Sequence, residues 1–175
     1  MGGVCVVPRL IVLNGPPGCG KSTLARRYAD AHRLTFNLDL DRIRDLLGDW
    51  EGDPHNAGLL TRAAALAAAR VHLLAGHDVV VPQFLGRPQF LEQAEALAAE
   101  TGAAFHEIVL FTTRDDAVYR FAARPASPPL PPDEVAAMYD RLAELLPSRP
   151  RALVLTTVHG REDEAYAALV ASLGT

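Results

Sequence analysis

The strongest constraint on this chain is a run near its start, Gly15-Pro16-Pro17-Gly18-Cys19-Gly20-Lys21-Ser22, which satisfies the pattern G-x-x-x-x-G-K-[ST] in full. An apolar run at 10–13 precedes it and reads as a short buried strand. A helical pattern over 23–32 follows at once. Strand, glycine loop and helix together form the setting that a phosphate-binding loop requires. Gly15, Gly18 and Gly20 let the backbone curl, so that successive N–H groups point inward at phosphate oxygens. The N-terminus of the following helix adds partial positive charge. Lys21 has the reach for the β- and γ-phosphates, and the Ser22 hydroxyl suits Mg²⁺. Pro16 and Pro17 stiffen the loop where their missing N–H groups matter least. Residues Gly15 to Thr23 are therefore expected to bind ATP together with Mg²⁺.

The rest of the chain repeats the alternation of strand and helix. Apolar runs at 34–38, 78–84, 104–111 and 152–157 read as four further strands. Helical patterns are expected at 42–47, from about Asn56 to Ala75, and at 88–100, 114–123, 133–146 and 161–173. In the long helix, Leu59, Leu60, Ala63, Leu66, Ala67, Val71 and Leu74 recur at helical spacing and are the expected apolar face. Each strand is a continuous apolar run rather than an alternating one, the mark of a parallel sheet covered on both faces. The expected fold is therefore a three-layer α/β/α P-loop NTPase domain with a five-stranded parallel sheet. Right-handed crossovers bring the loops at 14–22, 39–41 and 82–88 to one rim, with 156–161 beside them.

A chain of 175 residues, 49% hydrophobic, is expected to form one domain with a sizeable core. Its net charge of −4 argues against a protein that coats nucleic acid, although a small basic cleft stays compatible with it. Cys5 and Cys19 make neither a disulfide framework nor a metal pattern. From the sequence, no apolar stretch is expected to approach the roughly 20 residues that span a bilayer, and the first residues lack the charged start of a signal peptide. A cytoplasmic protein without membrane association is the expectation.

Two further constellations carry chemistry. Asp39 and Asp41 straddle the end of the second strand, where residues two apart point the same way. Arg44 follows Asp41 by one helical turn. One carboxylate can serve Mg²⁺, while the other orients an acceptor hydroxyl and takes its proton. The alternative is ordinary capping of a short helix. Arg120 and Arg124 lie four apart before 124–132, a segment whose five prolines exclude helix and central strand. A helix–loop–helix at about 114–146 would be a lid whose arginines supply charge to a transferring phosphoryl group; a solvated surface pair is the alternative. Trp50 and His55 read as surface-loop packing, His72, His77 and His106 as structural, and His159 as a neighbour of the adenine.

At these residues the chain resembles the polynucleotide 5′-hydroxyl and small-molecule branch of P-loop kinases. The similarity to phage-type polynucleotide kinases runs from the first strand to about Leu145. There a D-x-x-R motif follows the phosphate loop, its Asp the general base and its Arg on the acceptor side; here it is matched by Asp41-Arg42-Ile43-Arg44. Arg120, Arg124, Pro132 and Met138-Tyr139 match the lid of those enzymes. The pair Asp39 and Asp41 is similar to shikimate kinase, where the first Asp serves the metal and the second the substrate. Residues 79–86 resemble the same loop in chloramphenicol phosphotransferase. These relatives commonly end the third strand on an acidic residue, whereas Val81-Pro82-Gln83 stands here. The resemblance thus leaves the metal to Ser22 and Asp39, and the acceptor to Asp41, Arg44, Gln83 and Arg87.

The resulting expectation is an ATP- and Mg²⁺-dependent phosphotransferase acting on an unidentified hydroxyl acceptor: a small molecule, an antibiotic, a nucleoside or a polynucleotide 5′ end. The rivals are a regulatory module that hydrolyses ATP slowly and a toxin-like kinase of nucleotide sugars.

Overall fold

A computed structural model describes residues 7–123 and 130–174. Five parallel strands form one sheet: β1 (Arg9–Asn14), β2 (Phe36–Asn37), β3 (Val79–Pro82), β4 (Ala104–Phe111) and β5 (Leu153–Thr156). Their order is β2-β3-β1-β4-β5. The helices are α1 (Lys21–Ala31), α2 (Leu40–Arg44), α3 (Pro54–Leu74), α4 (Gln89–Thr101), α5 (Arg114–Ala122), α6 (Pro132–Leu145) and α7 (Glu162–Ser172).

Alternation along the central strands divides the core in two. Leu10 and Val12 of β1, with Val79 and Val81 of β3, face α3, α4 and α6. Ile11, Leu13 and Val80 face the other way, against Leu24, Ala25 and Tyr28 of α1 and Leu169 of α7. Both faces of the middle strands are thus covered, which is why these strands are apolar throughout. With β3 on one side of β1 and β4 on the other, the chain leaves β1 at the point where the sheet order diverges. That point places the loop after β1 in the ligand crevice of an open parallel sheet.

Several local expectations are corrected. β2 has only two residues, because Leu34 takes a positive φ of 60° and turns the chain before Phe36. α2 begins at Leu40 rather than at Arg42. α3 begins at Pro54 rather than at about Asn56, capped by Asp53, which accepts a hydrogen bond from the Asn56 amide. β5 reads as a buried strand, yet Leu153 and Val154 are exposed; it is an edge strand with β4 alone beside it.

The largest correction concerns α3. Its buried face is Ala57, Thr61, Ala65, Ala69 and Leu73, one residue per turn. Leu59, Leu60, Val71 and Leu74 of the expected face lie exposed. Close approach to the sheet selects small side chains, so hydrophobic size misidentifies the contact face. Among the described residues α3 is also the one helix long and apolar enough, by length and composition, to cross a membrane: 21 residues, with a mean hydropathy of 1.2 over an 18-residue stretch. The sequence reading missed this because Arg62 and Arg70 interrupt the run.

A polar tie anchors the far end of the sheet. The buried Tyr28 hydroxyl donates to Asp78 Oδ2 at 2.7 Å, and Arg9 Nη1 donates to Tyr28 at 3.2 Å. Burial, then the bond to Asp78, push the Tyr28 hydroxyl up to about 12 from an ordinary 10.0. Between those values the unfolded chain ionises while the folded one keeps its proton, so raising pH favours unfolding. Unfolding free energy is expected to fall by roughly 2–3 kcal/mol across that window. Urea titrations of the wild type and Tyr28→Phe at each pH check this. An equally steep alkaline loss in the variant would assign the effect elsewhere.

Candidate functional site

The site is built on the loop between β1 and α1. Gly15 and Gly18 are glycines of necessity. A Cβ on Gly15 would lie 2.5 Å from the Leu110 carbonyl oxygen and 2.6 Å from Cys19 Sγ. A Cβ on Gly18, whose φ is +85°, would lie 2.9 Å from the Ala117 carbonyl oxygen and 3.2 Å from Arg120 Cβ. The loop is thus pressed between β4 and α5, and that contact brings Arg120 over it. Cys19 is small enough to be buried inside the curl. Gly20 heads α1 at φ 97°, and no side chain caps this helix. Lys21 Nζ donates to the Gly15 and Pro16 carbonyl oxygens at 2.7 and 2.9 Å, which holds the ammonium at the centre of the loop. Pro16 and Pro17 are buried in the loop, while Ser22 and Thr23 face outward from the first turn of α1.

A residue not singled out in the sequence fastens this loop to its neighbour. Asn14 is fully buried at the end of β1. Its Oδ1 accepts from Gly15 N at 2.8 Å and Leu85 N at 2.9 Å, while its Nδ2 donates to the Leu85 carbonyl at 2.9 Å. The phosphate loop and the segment after β3 are therefore one unit. A lone amide side chain ending an apolar strand was the signal that could have revealed it. Asn14→Ala would leave these backbone groups unpaired, at about 1–3 kcal/mol for each that stays dry. A loss of about 2–5 kcal/mol in urea unfolding is expected, with faster hydrogen exchange at Leu85. Unchanged exchange there would refute the coupling.

A cavity of about 360 Å³ opens on one side of the loop, lined by Gly18, Gly20, Thr23, Arg120, Thr157 and His159 among others. The Nε and Nη2 atoms of Arg120 are buried without a hydrogen-bond partner. Buried guanidinium nitrogens without a partner are costly unless an anion meets them; the Glu162 carboxylate, which also lines the cavity, feels the Arg120 charge. Arg124, the other lid arginine expected from the sequence, lies outside the described residues, and α5 ends at Ala122 before reaching it. α6 is fastened to the core by Tyr139, whose ring meets Phe111 edge-on at 4.8 Å, and to α5 by the Arg114–Asp140 pair at 3.1 Å.

On the other side, the two aspartates do not share a strand face as the spacing suggested. The strand ends at Asn37; Asp39 caps α2, and Asp41 sits in its first turn. Asp39 Oδ1 accepts from the Asp41 amide at 3.0 Å. The capping alternative is therefore real for Asp39, and its Oδ2 pairs with Arg42 Nε at 3.8 Å. Arg44 pairs with Asp41 at 3.1 Å while its guanidinium stacks 4.2 Å above the Trp50 ring. Trp50 thus fixes the arginine that orients Asp41, a role its loop position concealed. Surrounding protein pushes the Asp41 carboxyl above its ordinary value; Arg44 opposes this, Asp39 and Asp45 add to it, and Lys21 lowers it. Although Asp41 is mostly open to solvent, it therefore stands within the electrostatic reach of the loop lysine.

Beyond β3, Gln83 is half-buried with Oε1 unpaired. Arg87 lines a larger cavity of about 750 Å³ between α3, the segment after β3, and α6. His55, expected in a loop, lies instead in the first turn of α3 and lines the same cavity. Among the described residues no group of three His, Cys, Asp or Glu side chains could hold a metal by itself.

Known proteins resemble the chain in sequence and in fold. An uncharacterised protein of Mycobacterium tuberculosis is 37% identical over 128 residues, covering 66% of this chain and 26% of that protein. The chain thus spans about a quarter of the length of that relative. The adenylate kinase of Deinococcus radiodurans is 34% identical over 116 residues, covering 61% of this chain and 59% of that enzyme. Shikimate kinase from Bacteroides thetaiotaomicron shares the fold, with a TM-score of 0.68 at 21% identity over 97% of this chain and 100% of that one. The AAA domain family matches residues 10–145, which include every element from the phosphate loop to the end of α6. The chain belongs to that AAA domain family, with the fold of a P-loop kinase.

Proposed function

We propose that the protein transfers the γ-phosphoryl group of ATP, with Mg²⁺, to a hydroxyl group of an acceptor. The observation that carries this reading is the placement of Asp41: oriented by Arg44 and within reach of the Lys21 charge, beside the loop but outside it. A switch that only hydrolyses ATP has no use for a braced carboxylate on the acceptor side. In the step proposed, Asp41 accepts the proton of the acceptor hydroxyl. The oxygen bonds to the γ-phosphorus, the bond from that phosphorus to the β–γ bridging oxygen breaks, and ADP leaves. Lys21 and Arg120 bear the charge on the transferring group. The Ser22 hydroxyl and Asp39 Oδ2, which would give up its long pair with Arg42, fit Mg²⁺, which keeps several waters and needs few protein ligands beside the phosphates. Bound there, it would neutralise phosphate charge.

The test is acceptor-dependent consumption of ATP by the full chain. Labelled ATP is offered with a panel of hydroxyl compounds and with 5′-hydroxyl oligonucleotides. A labelled product with at least one acceptor is the expected result. Slow hydrolysis indifferent to every acceptor would return the protein to the nucleotide-binding module.

A further inference from the structure

Positive charge on this molecule is distributed unevenly. Lys21 is its single lysine, so every other basic side chain besides histidine is an arginine. Five arginines of the outer surface are neutralised in place: Arg26 by Asp30, Arg27 by Asp163, Arg70 by Glu100, Arg151 by Glu95 and Arg161 by Glu164. Arg62, Arg87 and Arg141 pair with no carboxylate among the described residues, and all three line the 750 Å³ cavity. No Asp or Glu lines that cavity. Three guanidinium groups around one space repel one another, and an anion between them reverses the sign of that energy. The guanidinium fork also matches carboxylate and phosphate oxygens two at a time.

The remaining walls are apolar, with Leu66, Phe84, Leu85 and Phe90 among them. The volume suits a small organic molecule. Leu85 is the residue that Asn14 holds to the phosphate loop, so the cavity abuts the loop's base. Arg141 stands on α6, which Asp140 ties to α5, the helix that carries Arg120.

We propose that this cavity holds the acceptor, and that the acceptor is a small molecule carrying an anionic group, carboxylate or phosphate, beside an apolar or planar body. Arg62, Arg87 and Arg141 recognise the anion and the apolar walls take the body. A polynucleotide fits less well. Tracking its backbone needs a basic path along the surface, and here five surface arginines are neutralised and the net charge is −4. The assignment of the cavity to the acceptor rests on the phosphotransferase reading, but its preference for anions does not.

The test is calorimetry on the full chain in Mg²⁺ and AMP-PNP, with phenyl phosphate, benzoate and benzyl alcohol as probes. At least one anion is expected to bind about tenfold or more tightly than the alcohol, and the stronger of the two names the group. The double variant Arg62→Gln/Arg141→Gln is expected to lose about tenfold or more in anion affinity, a cost of about 1.4 kcal/mol per decade. Its AMP-PNP affinity should stay within about twofold. Both side chains are exposed, so the variant should fold, which circular dichroism verifies. As a check without variants, the bound anion should protect Arg62, Arg87 and Arg141 from phenylglyoxal, mapped by mass spectrometry. Equal affinity for the alcohol, indifference to the double substitution, or absence of protection would overturn the proposal. So would displacement of the anion by a 5′-hydroxyl oligonucleotide with a steep salt dependence. Failure of AMP-PNP to bind would strike the phosphotransferase reading instead, and benzoate titrated into the unloaded protein would still decide the anion preference.

Discussion

Lys21→Ala is expected to abolish measurable turnover and to weaken ATP binding about tenfold. Lys21 Nζ is held by two carbonyl oxygens of its own loop, at 2.7 and 2.9 Å, so its charge is positioned before any nucleotide arrives. A cation arranged in advance costs no reorganisation when charge develops on the transferring group, and loss of one such donor costs about 10²–10³-fold in rate. A charge-assisted bond to the ground-state phosphate contributes less, about 1.5–3 kcal/mol. The rate should therefore suffer more than the affinity. Lys21→Arg should rescue little, because a planar fork cannot occupy the space of a compact ammonium between the same two carbonyls. Turnover with the best acceptor and calorimetry with AMP-PNP separate the two effects. Full activity in the alanine variant would remove the basis of the nucleotide-dependent reading.

The second large effect is expected at Asp41. Loss of a general base typically costs about 10²–10⁴-fold, so Asp41→Asn should lower the transfer rate by that order with ATP binding nearly intact. The carboxyl is pushed above its ordinary value by its surroundings, against the pull of Arg44. Activity should therefore fall as pH is lowered through that raised value, an acid limb above the usual aspartate range near 3.9. Asp41→Asn should erase the limb. The same shift separates chemistry from folding. A raised carboxyl pKa means that the folded state binds the proton more tightly, so any stability it contributes is present below the ordinary value and is lost as pH rises through the raised one. At neutral pH the ionised side chain contributes no stability through this shift, and Asp41→Asn should not unfold the protein. Asp39→Asn should act differently. Its amide oxygen can keep the cap of α2, since Asn and Asp cap equally well, but the lost charge should raise the Mg²⁺ requirement. If Asp39→Asn lost the chemical step while Asp41→Asn shifted only the Mg²⁺ titration, the two roles would exchange.

Much of this domain was legible in the chain because its signals are local. The glycine loop declares itself within eight residues, since only that order of glycines, lysine and hydroxyl satisfies the geometry of a phosphate cradle. Continuous apolar runs separated by helical periods declare a parallel sheet, since a strand buried on both faces has no polar side to show. Asp41 and Arg44 were legible for the same reason: one turn of helix separates them.

The tertiary structure decided whatever depends on which surfaces meet. Spacing marked Leu59, Leu60, Val71 and Leu74 as the buried face of α3, yet the sheet accepts Ala57, Ala65 and Ala69, because distance of approach rather than hydrophobicity sets that contact. Asn14 gained its meaning only when Leu85, 71 residues later, came to lie against it. Trp50 became a brace only through its stack on Arg44. Arg62, Arg87 and Arg141 are scattered over three elements, and no periodicity joins them. What unites them is the absence of a carboxylate beside any of the three, a property of folded space that no order of residues can display.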